Sequence, residues 1–141
     1  MKAISITVIS LVLSLTLFAQ PGKKGVPDIV VAAFQKKFPS AQGITWEKEN
    51  GNFEAEFRIA KSSQSALFDK SGMLLESETE ITKDKLPVGA RTYIAQHYKS
   101  AKIKECAKIT DVSGVVTYEA EIKGKDVIFD SKGNFLKTVQ E

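Results

Sequence analysis

The sequence has 141 residues and a formal net charge of +3, a length that suffices for a compact domain with a real core. Its 20 Lys and Arg and 17 Asp and Glu are interspersed, and the missing basic stripe argues against a nucleic-acid partner. A single Cys and a single His exclude an intramolecular disulfide and a histidine-rich metal site.

The chain opens with Lys2, an uncharged apolar run from Ala3 to Phe18, and the small Ala19. This pattern predicts a cleavable secretory signal over residues 1–19. The run is shorter than the roughly 20 residues that cross a bilayer, and Gln20-Pro21-Gly22 follows it. No Cys near Ala19 could accept a lipid. The expected location is therefore periplasmic or secreted, soluble, with no stable membrane insertion after cleavage. Residues 20–25 read as a short polar lead-in.

Beyond the lead-in, motifs recur at a spacing of about sixty residues, which defines the folding unit. Val26-Pro27 returns as Leu86-Pro87, and each Pro is expected inside the first turn of a helix. Val30, Phe34 and Phe38 match Ala90, Ile94 and Tyr98, both sets at i, i+4, i+8. A strand around Ile44 to Lys48, turned at Asn50-Gly51, has its counterpart from Ile103 to Thr110, turned near Ser113-Gly114. Phe53-Glu54-Ala55-Glu56-Phe57 returns as Tyr118-Glu119-Ala120-Glu121-Ile122, an alternation with the period of a half-buried strand. Phe68-Asp69-Lys70-Ser71-Gly72 returns as Phe129-Asp130-Ser131-Lys132-Gly133, where Asp opens a hairpin turn and Gly supplies a positive φ. Met73 to Ile81 and Asn134 to Val139 close the two copies.

The predicted fold is α+β: two tandem helix-plus-four-strand repeats forming an antiparallel sheet, which could be one continuous eight-stranded sheet, with the helices on one face. The first repeat covers residues 26–82, residues 83–87 connect, and the second covers 87–141. The two units are expected to share one core. It should hold Phe34, Phe38, Trp46, Phe53, Phe57, Phe68, Ile94, Tyr98, Tyr118, Ile122 and Phe129.

These motifs, with Ile44-Thr45-Trp46-Glu47, resemble the PepSY-like family of exported bacterial proteins, whose fold is similar to that of the beta-lactamase inhibitor protein. The resemblance covers nearly all of the chain after the signal. It carries no catalytic signature and implies a fold, export, and a protein-binding or inhibitory role. The second copy offers no clear counterpart of Trp46.

Chemistry is sparse. His97 aligns with Lys37, beside the buried stripe of its helix, and is expected at the surface. Cys106 lies between Lys104 and Lys108, which on one strand face would favour the thiolate, although a half-buried thiol without a role is the commoner case. No nucleophile, phosphate loop or catalytic carboxylate pair is present, so the expectation is that the protein is not an enzyme and takes no cofactor. The residue-specific signal is acidic. Glu54, Glu56 and Arg58 share one strand face, as do Glu119, Glu121 and Lys123, in the same charge order. These six are the candidate binding residues, expected on an open, wet sheet face that receives a protein or peptide partner. Glu76, Glu78 and Glu80 share another strand face, and if that strand adjoins the first, a calcium- or cation-binding scaffold is the alternative. Against that, Lys48, Arg58, Lys61 and Lys123 could neutralise the face. Asp69 and Asp130 are read as turn formers only.

Overall fold

The computed structural model describes residues 25–140, so the signal reading of residues 1–19 and nearly all of the lead-in lie outside the described residues. Helix α1 (Asp28–Lys37) is followed by β1 (Gln42–Glu49), β2 (Asn52–Ile59), β3 (Ser62–Phe68) and β4 (Leu74–Glu80). A one-turn 3-10 helix at Lys83–Lys85 leads to α2 (Val88–His97), β5 (Ile103–Asp111), β6 (Val116–Ile122), β7 (Lys125–Asp130) and β8 (Phe135–Gln140). The eight strands form one antiparallel sheet in sequence order. The repeat is thus visible as structure, and even its irregularities recur. Register shifts at Gln42/Thr45 and Leu67/Phe68 return at Ile103/Cys106 and Ile128/Phe129.

Each helix starts one residue later than expected. Pro27 and Pro87 occupy the N-cap, with extended ψ of 142° and 147°. Their carbonyls accept the first helical N–H groups, from Val30 and Val31 and from Arg91. Phe38 and Tyr98 close the helices, each donating its N–H to the residue four back, Phe34 or Ile94.

Side-chain parity carries through the sheet, so both helices cover the same face. In the first repeat Phe34 is 1% exposed, and its ring meets Phe57 at 5.0 Å, Trp46 at 5.3 Å, Phe38 at 5.4 Å and Phe68 at 6.2 Å. In the second, Leu86, Ala90 and Ile94 pack on Cys106, Ala120, Ile122, Val127 and Phe129. The clusters are separate and not the single shared core the sequence suggested. The physical reason is the seam: Ser77 faces Thr110 and Thr79 faces Lys108 across β4 and β5, and these short or charged side chains interrupt the apolar layer.

The register supplies the counterpart of Trp46. Trp46 opposes Ala55, and Cys106 opposes Ala120, the middle residues of the two Glu-Ala-Glu strands. A tryptophan has been exchanged for a cysteine, and the aromatic weight moves to Tyr93, which stacks on Phe135 at 4.7 Å and meets Phe129 edge-on. Cys106 therefore points into the core. The register shift before it breaks the shared face with Lys104, and burial pushes its thiol up to about 11. The activated-thiolate reading is overturned.

Each Asp-turn-Gly hairpin abuts the first turn of its own helix. Asp69 Oδ1 accepts the N–H groups of Ser71 and Met73, and Asp130 Oδ1 those of Lys132 and Asn134. Asp111 does the same for Ser113 and Val115 in the β5–β6 turn. Gly133 has φ +87°, and a Cβ there would lie 2.6 Å from the Ala90 nitrogen. Gly114 also has positive φ, +79°, but open space around it. Phe34→Ala should cost about 3–5 kcal/mol, read by chemical denaturation; a change under about 1 kcal/mol would show that α1 is not docked as described. Gly133→Ala should lower Tm clearly more than Gly114→Ala, since both lose the favourable φ but only the first clashes. Equal shifts would remove the close approach from the account.

Candidate functional site

The face away from the helices is read from the strand register. Glu54 lies between Glu47 on β1 and Leu67 on β3, and Leu67 in turn faces Glu76 on β4. One row over, Glu56 lies between Thr45 and Ser65, and Ser65 faces Glu78. Beyond the seam, Glu76 faces Asp111 and Glu78 faces Ile109, while Glu119 stands between Ala107 and Ile128. Glu121 faces Asp126.

The charges on this face are not wet as expected. Glu54 is 6% exposed, Glu78 5%, Glu119 6%, Glu121 4% and Asp126 1%, with Leu67, Ile109 and Ile128 buried among them. Glu56 is half-buried and Arg58 exposed. Strands β2 and β4 do not adjoin, because β3 separates them. Direct like-charge pairs arise elsewhere, at Glu47 with Glu54, Glu76 with Asp111 and Glu121 with Asp126, an arrangement that opposes folding.

The matched charge order of the two copies also ends at the hairpins. Arg58 remains in β2 opposite Ser63. Lys123 has left its strand for the β6–β7 bend with φ +57°, because that hairpin turns two residues sooner. Lys61 is likewise in a turn, and Lys48 pairs with Phe53 on the helix side. A cation that does reach this face is Lys104, whose Nζ donates to Glu121 Oε1 at 2.8 Å. Its side chain is mostly exposed while that of Glu121 is buried.

Burial and crowding by like charge raise several of these carboxyls. Glu78 is pushed up to about 8, first by burial and then by Glu76, Glu54, Asp126 and Glu105. Glu76 rises to about 7 through burial, then Asp111, Glu54 and Glu49. Glu54 also rises to about 7 through burial, partly relieved by a hydrogen bond from Ser65 and raised further by Glu49, Glu56 and Glu47. Glu56 is raised by burial and Glu47, with Thr45 opposing. One buried oxygen each of Glu49, Glu54, Glu76 and Glu78 has no hydrogen-bond partner. The sequence reading missed Glu47, Glu49, Asp111 and Asp126. The hairpin symmetry about Lys123-Gly124 would have placed Asp126 opposite Glu121, had the turn been located.

Other chemistry stays apart from this face. His97 ends α2, exposed, with Nδ1 2.9 Å from the Tyr93 carbonyl and its ring stacked on Tyr93. Among the described residues no group of three or more His, Cys, Asp or Glu is arranged to hold a metal ion, and no helix is long and apolar enough to cross a membrane.

Residues 52–137 match the family model described as "Putative beta-lactamase-inhibitor-like, PepSY-like". The chain belongs to the PepSY-like family. Solved structures share the fold of this PepSY-like chain. A protein of Bacteroides eggerthii described as "putative periplasmic" superposes with TM-score 0.76 at 18% identity, over 81% of this chain and 88% of that one. A DUF2874 family protein of Bacteroides ovatus gives 0.72 at 17% identity, over 80% and 86%. A BLIP-like protein of Bacteroides fragilis gives 0.67 at 20% identity, over 80% and 84%. Among curated proteins, none matches the sequence.

The raised carboxyls fix a sign for pH dependence. A folded pKa of about 7 or 8 against 4.5 for the free side chain means that the folded state holds protons the unfolded state has released. That contribution is complete below about pH 4.5 and is lost as pH rises through about 8. Thermal melts should therefore show Tm falling from about pH 5 to about pH 9, and Glu78→Gln should flatten the fall and raise Tm at the alkaline end. A Tm that rises over this range, or a Glu78→Gln profile parallel to the parent, would contradict the buried, crowded state of Glu78.

Proposed function

We propose that this PepSY-like protein is an exported, non-catalytic binding module that holds a protein or peptide partner against the sheet face opposite its helices. The observation that carries the reading is the concentration there of buried carboxyl groups, Glu54 and Glu78 each with one oxygen that no hydrogen bond fills. Such groups oppose folding, and a face that keeps them is better explained by a task than by stability. Glu54, Glu56, Glu119 and Glu121 belong to this surface, with Arg58 at its margin and Lys123 in the neighbouring bend.

Two further observations support a binding role over catalysis. The Cys106 thiol is buried and held protonated, and His97 lies on the far side of the molecule from the acidic face, on α2. The family description, beta-lactamase-inhibitor-like, agrees with a module that acts by contact. Export is supported by the signal-like residues 1–19 and by the periplasmic description of the Bacteroides eggerthii neighbour. For a calcium scaffold, the Asp69, Asp111 and Asp130 carboxylates are already engaged through Oδ1 by backbone N–H groups of their own turns, which directs attention to the sheet acids.

Capture from an envelope extract with residues 20–141 as bait tests the reading. A partner should be retained, released by salt, and lost when Glu54, Glu56, Glu119 and Glu121 are together changed to Gln. If that variant melts like a folded protein and keeps every partner, the acidic face is not the site. Calorimetric titration with calcium separates the alternative: heat that disappears on changing Glu76, Glu78 and Glu80 to Gln would favour the metal.

A further inference from the structure

A cavity of about 470 Å³ opens on the helix side of the second repeat, between the 3-10 turn, α2 and the start of β5, a volume within the range of small-molecule sites. The repeat accounts for the space. In the first copy the rings of Phe34, Phe38, Trp46 and Phe57 close on one another with centroids 4.7 to 5.4 Å apart. Their counterparts Ile94, Tyr98, Cys106 and Ile122 have less total volume, and the side chains beneath α2 leave part of the gap open. The backbone departs from the repeat here as well. Ser100, on the cavity wall, has φ +63°, whereas Ser40 at the matching place keeps a negative φ; left-handed backbone in a residue other than glycine stores strain and recurs at ligand sites.

The walls are of two kinds. Ile94, Tyr98, Ala101 and Ile103 make an apolar floor, Ile94 buried and the other three partly so. Lys83, Arg91 and Lys99 line the same cavity and are exposed, which places their cations at its rim. Among the described lining residues Asp84 is the one acid, and it is held below the usual carboxylate range first by a hydrogen bond from Thr82, then by Lys85 and Arg91. Three cations against one acid leave the rim positive. At the places of Arg91 and Lys99 the first copy has Val31 and Pro39, so this pair of charges belongs to the second copy. We infer that the cavity binds a small amphiphilic anion, a carboxylate carried on an apolar body of about ten carbon atoms. The planar Arg91 guanidinium suits a carboxylate through two parallel hydrogen bonds, with Lys83 and Lys99 adding charge from either side. The body covers the Ile94, Tyr98 and Ile103 side chains and removes apolar surface from water. A bare inorganic anion would leave that floor wet, and an amine of the same shape would meet a rim of its own sign. The site lies across the sheet from the acidic face and does not depend on it.

Decanoate and decylamine share one hydrocarbon body and carry opposite charges, so calorimetric titration of residues 20–141 with each reads both the cavity and its sign. Decanoate should bind at least about tenfold more tightly than decylamine. Arg91→Gln should weaken decanoate about tenfold, and Ala95→Trp, at an exposed position on the cavity wall, should abolish binding by filling the space while every rim cation stays. Lys36→Gln, which removes an exposed cation from α1, should leave the affinity unchanged. Thermal melts confirm that each variant is folded. Equal binding of the two probes, no binding of decanoate, or decanoate affinity unchanged in folded Arg91→Gln and Ala95→Trp would each overturn the inference. Sedimentation with phosphatidylglycerol vesicles separates a free acid from a lipid surface: vesicles that carry the protein down while decanoate gives no heat would replace the cavity ligand with a membrane.

Discussion

Antiparallel pairing of β4 with β5 is the constraint on which the rest depends. Among the described residues it is the extensive join between the two repeats, running from Glu76 opposite Asp111 to Glu80 opposite Ala107. Because side chains alternate strictly, this register decides that Ser77 and Thr110 share the helix side while Glu78 and Ile109 share the other. A slip of one residue would put α2 on the opposite face from α1 and would break the acidic surface in two. The 3-10 turn and the buried Leu86 bring the chain from the end of β4 to the start of α2, so the connector and the sheet enforce the same answer.

The repeat was legible because its strongest signals are local. Glu-Ala-Glu alternation, the i, i+4, i+8 helix stripe and the Asp-to-Gly turns each report on backbone geometry within a few residues, and those elements appear where the pattern puts them. What the sequence concealed depends on register. Lys104, Cys106 and Lys108 alternate in sequence, but the irregular pairing between Ile103 and Cys106 places the thiol in the core and the Lys104 ammonium on Glu121. Arg58 and Lys123 follow identical acid pairs, yet a hairpin two residues shorter removes Lys123 from the sheet. Polar alternation likewise says which side a residue faces, not how far its neighbours shield it, which is why Glu54 and Glu119 read as wet and are buried.

The two faces of the sheet therefore follow different rules. On the helix side, aromatic and aliphatic side chains gain by leaving water, and each cluster is self-consistent. On the other side, acids stand opposite acids and desolvation raises Glu54, Glu76 and Glu78 well above the usual carboxylate range. A fold at this size has little stability to spare, so such a surface restricts what else the sequence can tolerate. Local consistency fails where a function is most readily assigned, as at many binding sites.

The exchange of Trp46 for Cys106 at equivalent positions gives each half of the molecule its own intrinsic reporter. Trp46 is the only tryptophan and Cys106 the only thiol, one in each apolar cluster. Indole fluorescence therefore follows the environment of the first repeat alone, and the rate of thiol alkylation follows the opening of the second. With no foreign label and no substitution, the chain can disclose whether its halves open as one cooperative unit or in succession.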